Sequence, residues 1–530
     1  MITLTKQTPK WPVALITLLL FNTSPAQAIV KNKKKVVAAN IVNNITITPQ
    51  SSETFRHKSP ALPSPRPFKL TAITSYTLPN GLTVQLLPDH RVPFITAAMG
   101  VNAGSILDSK QLLGLAGMTA DMLTEGTKTL TSKQIADEID FLGGAIGAAA
   151  NHDYAIINAS ALSKYSPRLL EILSDVILHP SFPDDELKLK KTNLIQELSI
   201  KRSEPEFLLE ERFNKVAFGE HPYAVVAPTE ETVTAMTTDK LQKFHDQYYL
   251  PNQSYLVVVG DFDLAKMKEL IEEKFGRGWI KNDTTATTLP AMPKQKARII
   301  YLVDRPGSVQ SSIKLGNISI KKTDTDYFPF LVANQILGGA ANSRLFLNIR
   351  EQKGYTYGAY SGIGARKEPG AFAAEAEVRT DVTAPALEEF LYELDRLRKI
   401  KVSSKELEQA KSYLAGSFQL GLETQSGLAT RLLERKLYAL PNDYLETYVD
   451  KIMAITPEQV RQVARKHIDL NNLVICIVGD ANKIKPDLQY FTYVDVYDMA
   501  GKQLNATRES KSNFASQQSF QNTDIDKDGN

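Results

Sequence analysis

The residues best placed to do chemistry lie in the second half of the chain. The segment ILGGAANSRLFLNIREQKGYTYGAYS, residues 336–361, sets Arg350 and Tyr357 seven residues apart. Ser343 can cap a short helix there, Gly354 can end it, and residues 355–361 alternate as a strand. Arg350 near the end of the helix and Tyr357 just inside the strand can converge on one point. A guanidinium and a phenol at that point can donate hydrogen bonds to a peptide carbonyl, or to the oxyanion formed when the carbonyl is attacked. The blander alternative pairs Arg350 with a nearby surface carboxylate and packs Tyr357 in a core.

Metal chemistry is constrained by inventory. The seven histidines stand at 57, 90, 152, 179, 221, 245 and 467, and the closest two are 24 residues apart. No helix can therefore present two imidazoles at i and i+4, which excludes a local zinc pair. The sole cysteine, Cys476, lies in the apolar run LVICIVGD and reads as a buried strand residue. An exported chain with one cysteine has no internal disulfide, so packing must stabilise it. The last seven residues, DIDKDGN, copy the first half of a Ca²⁺ loop but stop before its twelfth-position Glu, and read as a solvated acidic tail.

The elements that position these residues can be read in order. Lys6 and Lys10, an apolar run over 11–21 and Ala26-Gln27-Ala28 form the pattern of a secretory signal peptide, residues 1–28, cleaved after Ala28. Its loss removes two lysines and no acid, which leaves a balance of +1 and no basic field for nucleic acid. No later stretch is apolar for long enough to span a bilayer. Residues 29–70, with a lysine cluster at 31–35 and PALPSPRP at 60–67, read as a flexible linker. Asn80-Gly81 signals a hairpin, 91–101 a second strand and 143–162 a strand pair. Thr131 and Gln134 suggest a capping box, and helices are expected from Ser166, from Pro183 to about Arg202, and over 237–249. YLVVVG at 255–260 closes the first unit as a buried strand.

The second half repeats the first. LNNLVICIVGD echoes LPNQSYLVVVGD, with Gly260 and Gly479 219 residues apart, and a similar helix precedes each. Two homologous α+β domains follow, at 71–280 and 298–500, joined by a polar linker at 281–297. A last strand is expected within 490–499, and the Ser-, Gln- and Asn-rich 501–530 read as disordered.

Residues 114–127, GLAGMTADMLTEGT, carry Leu115, Met118 and Met122 at helical spacing after an Ala-Gly-Ser loop. With the flanks VNAGS and EGTKTLTSKQIADEIDFLGG, they resemble the active-site helix of the pitrilysin/insulinase metallopeptidase family. That family reads G-L-A-H-F-L-E-H-M-L-x-x-G-T there: two His bind zinc, and the Glu between them activates the water. In this chain Gly117 stands at the first ligand position, Ala120 at the base and Asp121 at the second ligand. Gly and Ala can neither coordinate a metal nor take a proton. The family's third ligand, a Glu on a later helix, matches Glu197 in KKTNLIQELSIKRSEPE, 76 residues beyond Asp121. Asp121 and Glu197 can hold a hard cation only weakly. The alternative is an ordinary ion pair of Glu197 with Lys201 at i+4.

The 336–361 segment is similar to the family's C-terminal-domain signature, in which an Arg and a Tyr, here Arg350 and Tyr357, reach the substrate. LPNGL, His221-Pro222-Tyr223 and YYLPN at 248–252 also match, with His221 positioning a loop. The resemblance covers about residues 75–490. It implies an α+β fold of two homologous domains, each a mostly antiparallel sheet covered by helices, arranged as a clam shell. It further implies a zinc-less subunit of a heteromeric periplasmic or secreted peptidase, inactive alone. Arg350 and Tyr357 would serve a peptide substrate, and zinc and its base would come from a homologous partner subunit. The competing readings are a non-enzymatic structural or peptide-binding homologue, and a stand-alone metalloendopeptidase with atypical ligands.

Overall fold

The computed structural model describes residues 70, 72–282 and 288–504. The expected signal peptide, nearly all of the linker at 29–70, His57 and the tail beyond 504 lie outside the described residues. Among the described residues no helix is long and apolar enough to cross a membrane.

Two six-stranded sheets organise the chain. The first contains β1 (Thr74–Thr77), β2 (Thr83–Pro88), β3 (Phe94–Val101), β4 (Ala145–Ala150), β5 (Ala155–Leu162) and β6 (Ser254–Gly260). Their order is β1-β2-β6-β3-β5-β4, antiparallel except for β2 beside β6. The second contains β7 (Ile299–Asp304), β8 (Gln310–Ile318), β9 (Thr356–Ile363), β10 (Ala371–Arg379), β11 (Val474–Gly479) and β12 (Val494–Tyr497). Its order is β12-β7-β11-β8-β10-β9, with β7 parallel to both β11 and β12. The fold is α+β and mostly antiparallel, as the repeat implied. β4 and β9 are corresponding edge strands, each paired on one side only.

Local chemistry accounts for the ends of the elements. Gly81 turns the β1–β2 hairpin with φ of +96°, a conformation that favours glycine. Thr131 and Gln134 form a reciprocal capping box on the helix Ser132–Phe141. Asp184, Asp185 and Glu186 fill the first turn of the helix Asp184–Lys201, where the helix dipole favours acids.

The sequence reading missed the helix Pro205–Phe218, which begins with Pro at its first turn only a few residues after the preceding helix ends. Its apolar residues do not face their own sheet. Leu208, Leu209, Phe213, Ala217 and Phe218 pack on Val303, Val474, Cys476 and Val478 of the second sheet. The helix Gln425–Leu437 makes the reciprocal move and lies across β3 and β6. A Cβ added at Gly100 of β3 would come within 2.8 Å of Leu433 Cδ1, so glycine permits the close approach. Each half thus lends a helix to the other's sheet. That exchange explains why β6 and β11 are apolar at nearly every position: both faces are covered. It also buries Cys476, whose thiol is pushed well above its ordinary range by burial.

Candidate functional site

The helix that matches the zinc helix, Leu115–Met122, starts after Gly114 in the left-handed region. Its first amides are held by Asp108, whose carboxylate accepts from Gly114 N at 2.8 Å and Ala116 N at 2.9 Å. Burial nonetheless pushes the Asp108 carboxyl up to about 6. The sequence reading did not single out Asp108, because it caps from six residues ahead rather than from the helix boundary.

On this helix Ala120 is fully buried, and the space at Gly117 is open for at least 4 Å around an added Cβ. Asp121 projects to solvent, yet burial of its carboxyl raises it above the usual range; the Lys190 ammonium opposes that shift, and Glu125 and Glu197 add to it. Lys190 is itself bonded to Glu125 at 2.8 Å. Glu197 pairs with Lys201 at 2.5 Å, the ordinary i, i+4 ion pair. Of the four positions carried over from the family, two therefore have no donor atom. The two carboxylates that remain share their surroundings with lysine ammonium groups. Zinc favours nitrogen and sulfur donors in a closed tetrahedral set, and this donor set does not fit it. Among the described residues no three His, Cys, Asp or Glu side chains gather as a metal site. The described histidines are engaged elsewhere: His90 with Asp261, His245 with the Ile177 carbonyl and His467 with Asp326.

Arg350 and Tyr357 sit differently. The expected short helix is wound as a π-helix over Phe346–Gln352, with Lys353 N bonded to the Asn348 carbonyl at 3.0 Å. Gly354 ends it with φ of +64°, as expected. Ser343 does not cap it: its hydroxyl is buried without a hydrogen-bond partner. Arg344 anchors the segment instead, through two bonds to Glu406 at 2.7 and 3.2 Å. Burial alone would raise the Glu406 carboxyl, but Arg344 and the Ser403 amide bring it down to about 2.

Arg350 is exposed. Its guanidinium lies over the Phe346 ring and 3.3 Å from Glu351. Tyr357 is 89% exposed on edge strand β9, so it packs in no core. It falls in a β-bulge: Ala359 pairs with Ala376 and Thr356 with Val378, leaving Tyr357 and Gly358 opposite Glu377 alone. The Thr356 hydroxyl secures the bulge by donating to the Glu377 carbonyl at 2.6 Å. Bulges of this kind re-aim a side chain. The π-helix packs on β9, with the rings of Phe346 and Tyr360 5.7 Å apart. Arg379, at the end of β10, donates to the Gly354 carbonyl at 2.7 Å and steadies the turn between Arg350 and Tyr357. Phe346, four residues before Arg350 on the same segment, was the available signal for this support.

Comparison with known proteins agrees with this placement. The family profile described as "Insulinase (Peptidase family M16)" matches residues 83–227, and "Peptidase M16 inactive domain" matches residues 235–414. An uncharacterized zinc protease of Bacillus subtilis is 25% identical over 395 residues, 74% of this chain and 95% of its own length. Another from Mycobacterium leprae is 27% identical over 393 residues, 74% of this chain and 88% of its own. The crystal structure of a peptidase M16 inactive domain from Pseudomonas fluorescens superposes with a TM-score of 0.72 at 26% identity, covering 77% of this chain and 98% of that one. A protease from Helicobacter pylori has the same fold, with a TM-score of 0.72 at 22% identity, covering 77% of this chain and all of that one. The chain belongs to the insulinase family, peptidase family M16, and within it matches the inactive-domain type.

Proposed function

We propose that this chain is the zinc-less subunit of a heteromeric M16-type metallopeptidase, exported to the periplasm by its N-terminal signal. A homologous partner subunit supplies zinc and the general base. Arg350 and Tyr357 contribute hydrogen-bond donors to the bound peptide and to the oxyanion formed on its carbonyl. The observation that carries the reading is the exposure of Tyr357 on a bulged edge strand beside Arg350, set against a matched zinc helix with no usable ligands. An open strand edge also suits an extended peptide, which can add to it through main-chain hydrogen bonds. That the relatives are named zinc proteases supports peptide as the substrate class.

The test is co-purification of the tagged mature chain from its source, followed by peptide-cleavage assays on the chain alone and on the mixed complex. Activity confined to a complex with a zinc-bearing homologue supports the proposal. If no such partner co-purifies and no mixture cleaves peptide, it fails, and the non-enzymatic peptide-binding reading takes its place.

A further inference from the structure

The motif His221-Pro222-Tyr223 has no part in the chemistry above, yet it lies at a buried polar knot between the two halves. The knot forms where the β4–β5 turn, residues 151–154, meets the β9–β10 turn, residues 364–370. Tyr223 donates its hydroxyl hydrogen to Asp153 Oδ1. The other carboxylate oxygen of Asp153 accepts from Lys367 N at 3.2 Å, and Tyr223 Oη accepts from Glu368 N at 3.3 Å. Lys367 reaches back to donate to Asn102 Oδ1 at 2.6 Å. The Arg366 guanidinium lies 4.9 Å from the Tyr223 ring centre. His221 Nδ1 accepts from Tyr223 N at 3.2 Å and so fixes the turn Pro222–Ala224 that presents the phenol.

The protonation states suit a fixed joint. Burial, then Asp153, hold the Tyr223 hydroxyl far above its ordinary range, so it stays a donor. Burial, then Arg366, pull His152 down to about 4, so the imidazole beside the knot adds no charge near neutral pH.

The knot is not needed to hold the halves together, because the exchanged helices already bury apolar surface on both sheets. Burying Asp153, Tyr223 and most of Lys367 carries a desolvation cost, and an apolar contact would be comparably stable. What a satisfied polar network adds is a unique geometry. Here it acts on the tips of two hairpins whose outer strands, β4 and β9, each have a strand neighbour on one side only. An edge strand is the part of a sheet freest to fray or twist. We propose that Asp153 and Tyr223 are positioning residues that tie the two edge hairpins tip to tip, fixing β9 and the Tyr357 it carries relative to β4. The consequence for peptide presentation rests on the function proposed above; the tie itself does not.

Asp153→Asn keeps the shape but leaves either Lys367 N–H or the Tyr223 hydroxyl facing an amide NH₂. Tyr223→Phe deletes the hydroxyl and serves where the first variant does not fold. In either, amide exchange in residues 364–370 and β9 should rise about tenfold, while β7 and β11 stay unchanged. Spin labels at Ala149→Cys on β4 and Gly362→Cys on β9 should give a narrow distance distribution in the parent and a broad one in the variant. Both label sites are exposed, and the native Cys476 is buried. Unchanged exchange and an unchanged distribution in a folded variant would overturn the proposal, as would exchange that rises equally across both sheets. Neither readout needs peptidase activity, so an inactive mixed complex would count against the Arg350–Tyr357 reading alone.

Discussion

The Arg350 guanidinium lies 4.7 Å from the centre of the Phe346 ring, one helical turn back on the same segment. Stacking of this kind holds the planar fork in one orientation while its N–H groups remain free to donate. Phe346 in turn packs against Tyr360 on the strand that carries Tyr357. The aromatic contact therefore links the cation on the π-helix to the strand that bears the phenol.

Removing the fork should be costly to turnover and not to folding. Arg350→Ala is expected to lower turnover of the mixed complex by about 10²–10³, as for loss of one oxyanion donor. Arg350→Lys should not restore it, because an ammonium neither forks nor stacks in the same way. Phe346→Ala should give an intermediate loss, with Arg350 present but no longer held. Steady-state cleavage of a fluorogenic peptide by the complex reads all three, and an unchanged rate in the double variant Arg350→Ala/Tyr357→Phe would remove the pair from the mechanism.

The Arg344–Glu406 pair gives the signature segment a pH limit. The Glu406 carboxyl titrates near 2 in the folded chain against about 4.5 unfolded, so the unfolded state binds the proton first as pH falls. Its stabilisation is fully present above about pH 4.5 and is lost as pH drops toward 2. Glu406→Gln should flatten that part of the stability–pH curve. It should also lower stability at neutral pH by about 3 kcal/mol, because Arg344 is left buried without its counter-charge. Urea unfolding between pH 2 and 7 measures both effects.

Glu197 should be nearly dispensable. Its partner is Lys201, and both side chains are about half exposed. An i, i+4 surface pair is worth about 0.3–0.5 kcal/mol, so Glu197→Gln should shift the melting temperature by no more than about a degree or two and leave turnover of the complex unchanged. A large loss of activity on this substitution would restore Glu197 as a functional ligand.

The exchanged helices predict one cooperative unit. Phe213 is buried against the opposite half's sheet, so Phe213→Ala should cost about 3–5 kcal/mol. It should destabilise both halves together, although the residue belongs by sequence to the first. Scanning calorimetry should show one transition moving down, whereas two separating transitions would show that the halves fold independently.

Much of this arrangement was legible in the residues. The Asn80-Gly81 turn, the Thr131 capping box, the continuous apolar runs of β6 and β11, and the Glu197–Lys201 pair all rest on local rules, and each appears where those rules place it. The helix Pro205–Phe218 was missed because its apolar face is answered by a sheet nearly a hundred residues away, which periodicity cannot reveal. Ser343 misled for a related reason: its position suited a cap, but the segment is anchored by Arg344 to Glu406, a contact across 62 residues. The Asp153–Tyr223 bond likewise joins residues 70 apart, and only the fold brings them together.

The central claim is that this chain contributes a cation and a phenol to a peptidase whose zinc is held elsewhere. Metal content and peptide cleavage, measured together on the purified mature chain before and after addition of the zinc-bearing partner, test it most directly. The account predicts far less than one zinc per chain and no cleavage alone, with chelator-sensitive cleavage once the partner is present. Stoichiometric zinc and chelator-sensitive cleavage by the single chain would contradict it.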